Sequence, residues 1–216
     1  STLSVRRHDS NAPQAPRTAE LQSGMLPMLR EHLRNRTNAA ILDLGPPTKN
    51  KLAYFSNINC RYYSNNFPDS FYGRLTYSAP EGGFSEIDFR QMLPGWDSLE
   101  FDVILAWDCF DHLNREALKQ FVTHLARRCR QHAFLHFLIT QTSHMPKTPA
   151  LIDLAAKDRI LYVPGSETLP ATRHPAKVLE ELMPGFSIRK LCLLRNGLQE
   201  HLFTFSKDAF LEHTAS

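Results

Sequence analysis

The stretch AAILDLGPPTKNKLAYF, residues 39–55, decides how the rest of the chain is read. Residues 39–44 are a short apolar run holding one acid, Asp43, and read as a buried strand. Gly45, Pro46 and Pro47 end that run at once. Leu52, Ala53 and Phe55 then restart apolar spacing at helical offsets, from a helix start near Thr48. A strand feeding a helix through a Gly-containing loop is where α/β folds bind small ligands, because helix N-terminal amides attract anions. The place of the stretch points to a cofactor loop, while its two prolines remove amides that such a loop would offer.

Working outward, residues 60–64 (CRYYS) and 84–89 (FSEIDF) read as strands, and residues 101–107 (FDVILAW) as a continuous buried strand of the parallel kind. Asn114 reads as the N-cap of a helix with Leu118, Phe121, Val122 and Leu125 on its apolar stripe. Residues 133–139 (AFLHFLI) are another buried strand. Residues 177–183 are helical until Pro184-Gly185, and strand patterns at 186–194 and 198–206 flank Asn196-Gly197, a strong hairpin signal. Repeated βα alternation that closes in a hairpin predicts a layered α/β domain with a mostly parallel sheet.

The flanks read differently. Residues 1–17 are polar, Pro-containing and aperiodic, a flexible N-terminal arm. Residues 18–38 read as an N-terminal helical segment, with Leu21, Met25, Leu26, Leu29 and Leu33 on a stripe that Pro27 splits or restarts. Arg30, Arg34 and Arg36 near its end suit the helix dipole, or else a small basic patch for an acidic partner. Residues 39–216 form one domain with a lid-like insertion around 140–175, punctuated by Pro146, Pro149, Pro164, Pro170 and Pro175. Within it, 150–157 reads as a short helix and 159–163 as a short strand. Phe67, Phe71, Tyr72 and Tyr77 read as a core seal under a long loop, or as a stacking surface.

The composition, with 42% apolar and 22% charged residues, is that of a soluble globular protein. A net charge of +3 makes no case for nucleic acid, and no apolar run approaches the roughly 20 residues of a membrane span. Cys60, Cys109, Cys129 and Cys192 lie far apart, which suits free thiols in a reducing cytoplasm rather than a zinc site. His132 and His136 flank a strand and not a helix face, so no metal is expected.

The element order resembles the class I S-adenosylmethionine-dependent methyltransferases over roughly residues 39–206. Ile41-Leu42-Asp43-Leu44-Gly45 matches the strand and first glycine of that family's cofactor motif. Ile87-Asp88-Phe89 with Leu93-Pro94 matches the segment after strand three, where the family uses an Asp near the adenine. Residues 101–108 and His112-Leu113 match the fourth strand and its loop. The resemblance implies a Rossmann-like three-layer sandwich, with a mostly parallel seven-stranded sheet and a C-terminal antiparallel hairpin. It also implies S-adenosylmethionine as cofactor, held by Asp43, Gly45, Thr48, Ser64, Asp88 and Trp107.

Two departures weigh against that cofactor. The family's D-x-G-x-G-x-G pattern would place glycines at 47 and 49, where this chain has Pro47 and Lys49. Pro46 and Pro47 each remove an N–H, and Lys49 adds a long side chain where the backbone should be bare. The amides beyond Thr48, with Lys49 and Lys51, then either hold an anion or form a capped helix start with solvated lysines. Strand two ends Tyr63-Ser64-Asn65-Asn66, where the family has an acid for the ribose. A neutral acceptor there is worth about 0.5–1.5 kcal/mol against about 1.5–3 for a charged one.

After strand four, Asp108 or His112 would serve as the base of an active enzyme. Alternatively His112 packs at the turn and Asp111 caps the next helix. Cys109 reads as a buried, inert thiol. His144, Lys147, Arg159, Arg173 and His174 either gather around an anionic ligand or stay solvated, and Glu200 is expected beside a basic neighbour. Three functions stay open. The leading one is a non-catalytic regulatory or interaction module, a pseudo-methyltransferase with a protein partner and no nucleic-acid or membrane partner. The second is an active methyltransferase on a small molecule or protein, and the third a binder of another nucleotide or anion in the old cleft.

Overall fold

A six-stranded sheet carries the domain, in a computed structural model that describes residues 15–65, 95 and 98–215. In chain order its first elements are β1 (Ala19–Gln22), α1 (Leu26–Arg34), β2 (Ala39–Asp43), α2 (Lys49–Ser56) and β3 (Cys60–Ser64). Then follow β4 (Phe101–Trp107), α3 (Arg115–Ala126), β5 (Cys129–Thr140), β6 (His144–Pro146), β7 (Leu151–Ala156), β8 (Arg159–Val163) and β9 (Thr168–Pro170). The chain closes with α4 (Ala176–Leu182), β10 (Phe186–Leu193), β11 (Leu198–Phe205) and α5 (Lys207–Thr214).

The large sheet runs β10-β11-β5-β4-β2-β3. β3, β2, β4 and β5 are parallel, whereas β11 is antiparallel to both β5 and β10, as the hairpin signal predicts. Residues 84–89, expected as a further strand, lie outside the described residues, as do Asp88 and the aromatics at 67, 71, 72 and 77. Strand alternation divides the core in two. Ala40, Leu42, Ile104 and Ala106 face α3, α4 and α5, while Ala39, Ile41, Val103, Leu105 and Trp107 face α1, α2 and the lid.

Residues 18–38 are not wholly helical. Ala19–Gln22 is a strand, because Leu21 pairs with Ile160 of β8 and buries its side chain there. Pro27 starts the helix rather than splitting it, sitting in the first turn where its missing N–H has no partner to lose. Ser23 Oγ accepts the amides of Met25 and Leu26 at 3.1 and 3.0 Å and itself donates to the buried Glu200. His136 Nε2 donates to the same carboxylate at 2.8 Å, supplying the neighbour expected for Glu200. Arg30 does not join a basic patch, since it is buried with its guanidinium 4.7 Å from the Tyr54 ring centroid.

The expected helix at 150–157 is a strand. Ile152 and Leu154 are buried at period two and pair with Tyr162 and Ile160, making a small antiparallel sheet in the order β1-β8-β7. That sheet covers the second face of the core. No described helix is long and apolar enough to cross a membrane.

Local signals hold the other face. Asn114 Oδ1 accepts the Ala117 amide at 2.8 Å and caps α3. Gly185, at φ +82°, turns the chain from α4 into β10, and a Cβ there would meet Phe210 Cβ at 2.6 Å. Urea unfolding of Gly185→Ala is expected to show a loss of about 2 kcal/mol or more, from strain plus overlap. Asn114→Ala should lose about 1 kcal/mol.

Candidate functional site

The site lies where β2 and β4 end and α2 begins. Asp43 is fully buried, and four groups of this chain meet its carboxylate. Oδ1 accepts Gly45 N at 2.8 Å and Trp107 Nε1 at 2.7 Å, and Oδ2 accepts the Tyr62 hydroxyl at 2.5 Å. Lys51 Nζ completes the set at 3.2 Å from Oδ2 and also donates to Pro46 O at 3.1 Å. Its ammonium lies 4.9 Å from the Trp107 ring centroid. The burial of the Tyr62 hydroxyl and the charge on Asp43 both hold that phenol well above its ordinary range.

Lys51 is not a solvated lysine. Thr48 caps α2 as expected, its Oγ1 accepting Lys51 N at 3.1 Å, so Lys51 sits in the first turn. Helical side chains lean toward the N-terminus, and this one therefore folds back over the loop it follows. A cation in a first turn opposes the helix dipole by about 0.3–1 kcal/mol. Breaking a buried ion pair costs about 3–5 kcal/mol, so the partnership with Asp43 prevails once both groups are buried. Leu52, expected on the apolar face, is half exposed instead, and Lys51, Tyr54 and Phe55 are the buried positions.

Trp107 closes the space from the other side. It ends β4 at φ +50°, a left-handed conformation that a bulky residue adopts at a cost of about 1–3 kcal/mol. Its indole bond to Asp43 and its edge contact with His136 hold it there. Gly45 is needed for a local reason: a Cβ would come within 2.9 Å of Lys51 Nζ and 3.0 Å of Trp107 Cδ1. The Gly45 carbonyl accepts Ser64 Oγ at 3.0 Å. Asp43, Gly45, Ser64 and Trp107 thus come together, with their polar groups bound to one another.

Among the described residues, a cavity against Gly45, Pro46, Lys51, Trp107, Asp108 and Ile152 measures about 10 Å³. That holds about one water, whereas small-ligand sites run to roughly 300–1,000 Å³. As arranged, the described residues do not fit S-adenosylmethionine over this loop. Thr48 Oγ1 also donates to Asp153 of β7, and Asn50 Nδ2 reaches Asp153 Oδ2 at 2.8 Å, so the lid is fastened across the loop.

The loop after β4 is fastened as well. Asp108 Oδ2 accepts Ala150 N at 2.8 Å, and burial pushes its carboxyl up to about 7. Asp111 does not cap the next helix; its Oδ2 accepts Thr140 N at 2.8 Å, and burial raises it to about 6. Burial lowers His112 to about 4, and Cys109 is buried with its thiol held well above the usual range. The lid cations do not converge. Lys147 pairs with Glu167 at 2.6 Å, Arg159 with Glu20 at 3.4 Å, and the buried His174 donates to Leu113 O at 3.0 Å. No described group of three or more His, Cys, Asp or Glu is placed to hold a metal.

No protein-family model and no curated protein sequence matches the chain. Among solved structures, a S-adenosylmethionine-dependent methyltransferase from Clostridium acetobutylicum aligns over 84% of this chain and 89% of its own, at 8% identity and a TM-score of 0.51. An amino pentose methyltransferase from Micromonospora echinaspora, solved with S-adenosylmethionine bound, aligns over 84% and 90% at 11% identity and a TM-score of 0.47. A Burkholderia thailandensis N1-methyltransferase, solved with S-adenosylhomocysteine, aligns over 84% and 76% at 14% identity and 0.46. The first of these likenesses establishes the fold: the chain has the class I methyltransferase fold.

Two measurements check the site. Lys51→Met is expected to lose about 3–5 kcal/mol of stability by urea unfolding, with much of it regained in Lys51→Met/Asp43→Asn, where no charge is left alone. Asp108 ionises near 3.8 when unfolded and near 7 when folded. Between those values the folded chain holds a proton that the unfolded chain has released, so this group lowers stability as pH rises. His112, lowered to about 4, acts oppositely over its own window up to 6.5. The stability of Asp108→Asn relative to the parent should therefore grow from about pH 4 to 7, by up to roughly 1.4 kcal/mol per pH unit.

Proposed function

We propose that this chain is a non-catalytic methyltransferase-fold module, one that keeps the scaffold, does not use S-adenosylmethionine and acts by binding a partner protein. The observation that carries the reading is the Lys51 ammonium over Gly45, held by Asp43, Pro46 O and Trp107 beside a cavity of about 10 Å³. A ligand entering there must first part a buried ion pair and then displace an indole. Pro46 and Pro47 offer no amides in return.

The other readings have less support. An active transferase whose nucleophile must lose a proton needs a base that reaches its substrate, and Asp108 is buried with an oxygen on Ala150 N. An anion site using Lys51 conflicts with the commitment of that charge to Asp43. A protein partner uses the outside of the fold and needs none of these groups to be free.

Calorimetric titration of the purified protein with S-adenosylmethionine and with S-adenosylhomocysteine tests the reading. No binding heat and no thermal shift are expected at millimolar ligand. Micromolar affinity for either compound would overturn it.

A further inference from the structure

Two sheets stop at the same place on the molecule. Among the described strands, β1 ends the small sheet and β10 ends the large one, each with a neighbour on one side alone. The edges meet at Gly24, whose carbonyl accepts Lys190 Nζ at 3.3 Å. Between them lies a groove of about 490 Å³, within the range of small-ligand and peptide sites, in contrast to the filled cleft over Gly45.

The chemistry of the groove is specific. Leu21 and Leu194 are buried at its floor, and Leu193 stands at its lip with 68% of its surface exposed. On one wall Arg159 neutralises Glu20 at 3.4 Å. Arg195 on the other wall has no carboxylate partner among the described residues, and neither do Arg189 and Lys190 farther along the same edge. Among the described residues, positive charge in the groove and its approach thus goes uncompensated beside an apolar floor.

The backbone is selectively open. At the far end of β10, Ile188 N donates to Glu180 Oε1 at 3.2 Å, and a register shift between Ile188 and Lys190 twists the edge. At the groove end, Leu194 N donates to Leu198 O. Antiparallel alternation then turns the amides and carbonyls of Leu191 and Leu193 away from β11, toward the free side.

We propose that this groove binds an extended acidic segment of a partner protein. The segment adds its main chain to the Leu191–Leu193 edge, rests an apolar side chain on Leu21 and Leu194, and sets a carboxylate against Arg195. A second copy of this chain is the poorer occupant, because pairing β10 with itself brings Arg189 and Lys190 toward like charges. The inference deepens the reading of the chain as an interaction module and rests on it.

The test is fluorescence anisotropy with a labelled peptide of alternating glutamate and valine, run beside its lysine–valine counterpart. Saturable binding of the acidic peptide alone is expected, weakened about tenfold or more by Arg195→Glu and by Leu193→Asp, with slowed amide exchange at Leu191 and Leu193. Both replacements lie at exposed positions, and circular dichroism checks that each variant folds. Equal binding of the two peptides, no binding of either, indifference to Arg195→Glu, or a dimer at the same edge by sedimentation would each overturn the proposal. Titration with S-adenosylmethionine reads the other cleft, so either idea fails without the other.

Discussion

One buried carboxylate sets the conditions for everything around it. Asp43 stands fully buried at the end of a central parallel strand, so its charge must be met by the protein. Gly45, Tyr62 and Trp107 supply hydrogen bonds and Lys51 the counter-charge. Each donor comes from a different part of the chain. The carboxylate therefore ties the loop, α2, β3 and the end of β4 into one unit, and the left-handed turn at Trp107 persists because that unit over-determines it.

This arrangement explains why residue 45 is a glycine. Gly45 is bare because a lysine and an indole of the same chain press against it. The lid follows from the same economy of space. With Ile152 against the filled cleft and Asp153 tied to Thr48 and Asn50, the small sheet is part of the core and not a cover held away from it.

Much of the fold was legible in the residues. Runs such as AAILD and FDVILAW declare strands buried on both faces, and Asn196-Gly197 declares the hairpin, because these signals are local. The misreadings share a cause. LIDLAA suits a short helix as well as a strand until Ile152 and Leu154 meet Tyr162 and Ile160 across the small sheet, and AELQ is a strand only because β8 lies beside it. Lys51 was missed because composition assigns lysine to solvent. The available signal was geometric: a lysine three residues after an N-cap, leaning back toward the acid that ends the preceding strand.

The cap of α1 has a consequence for biosynthesis. Ser23, which accepts two amides of the first helical turn, is tied to Glu200, 177 positions farther along the chain. β1 likewise waits for β8. On a ribosome α1 can form early, but its seat is incomplete until β8 and β11 have emerged. A chain stalled before β11 would hold α1 against β2 and β4 while the Ser23 hydroxyl still lacked its Glu200 acceptor.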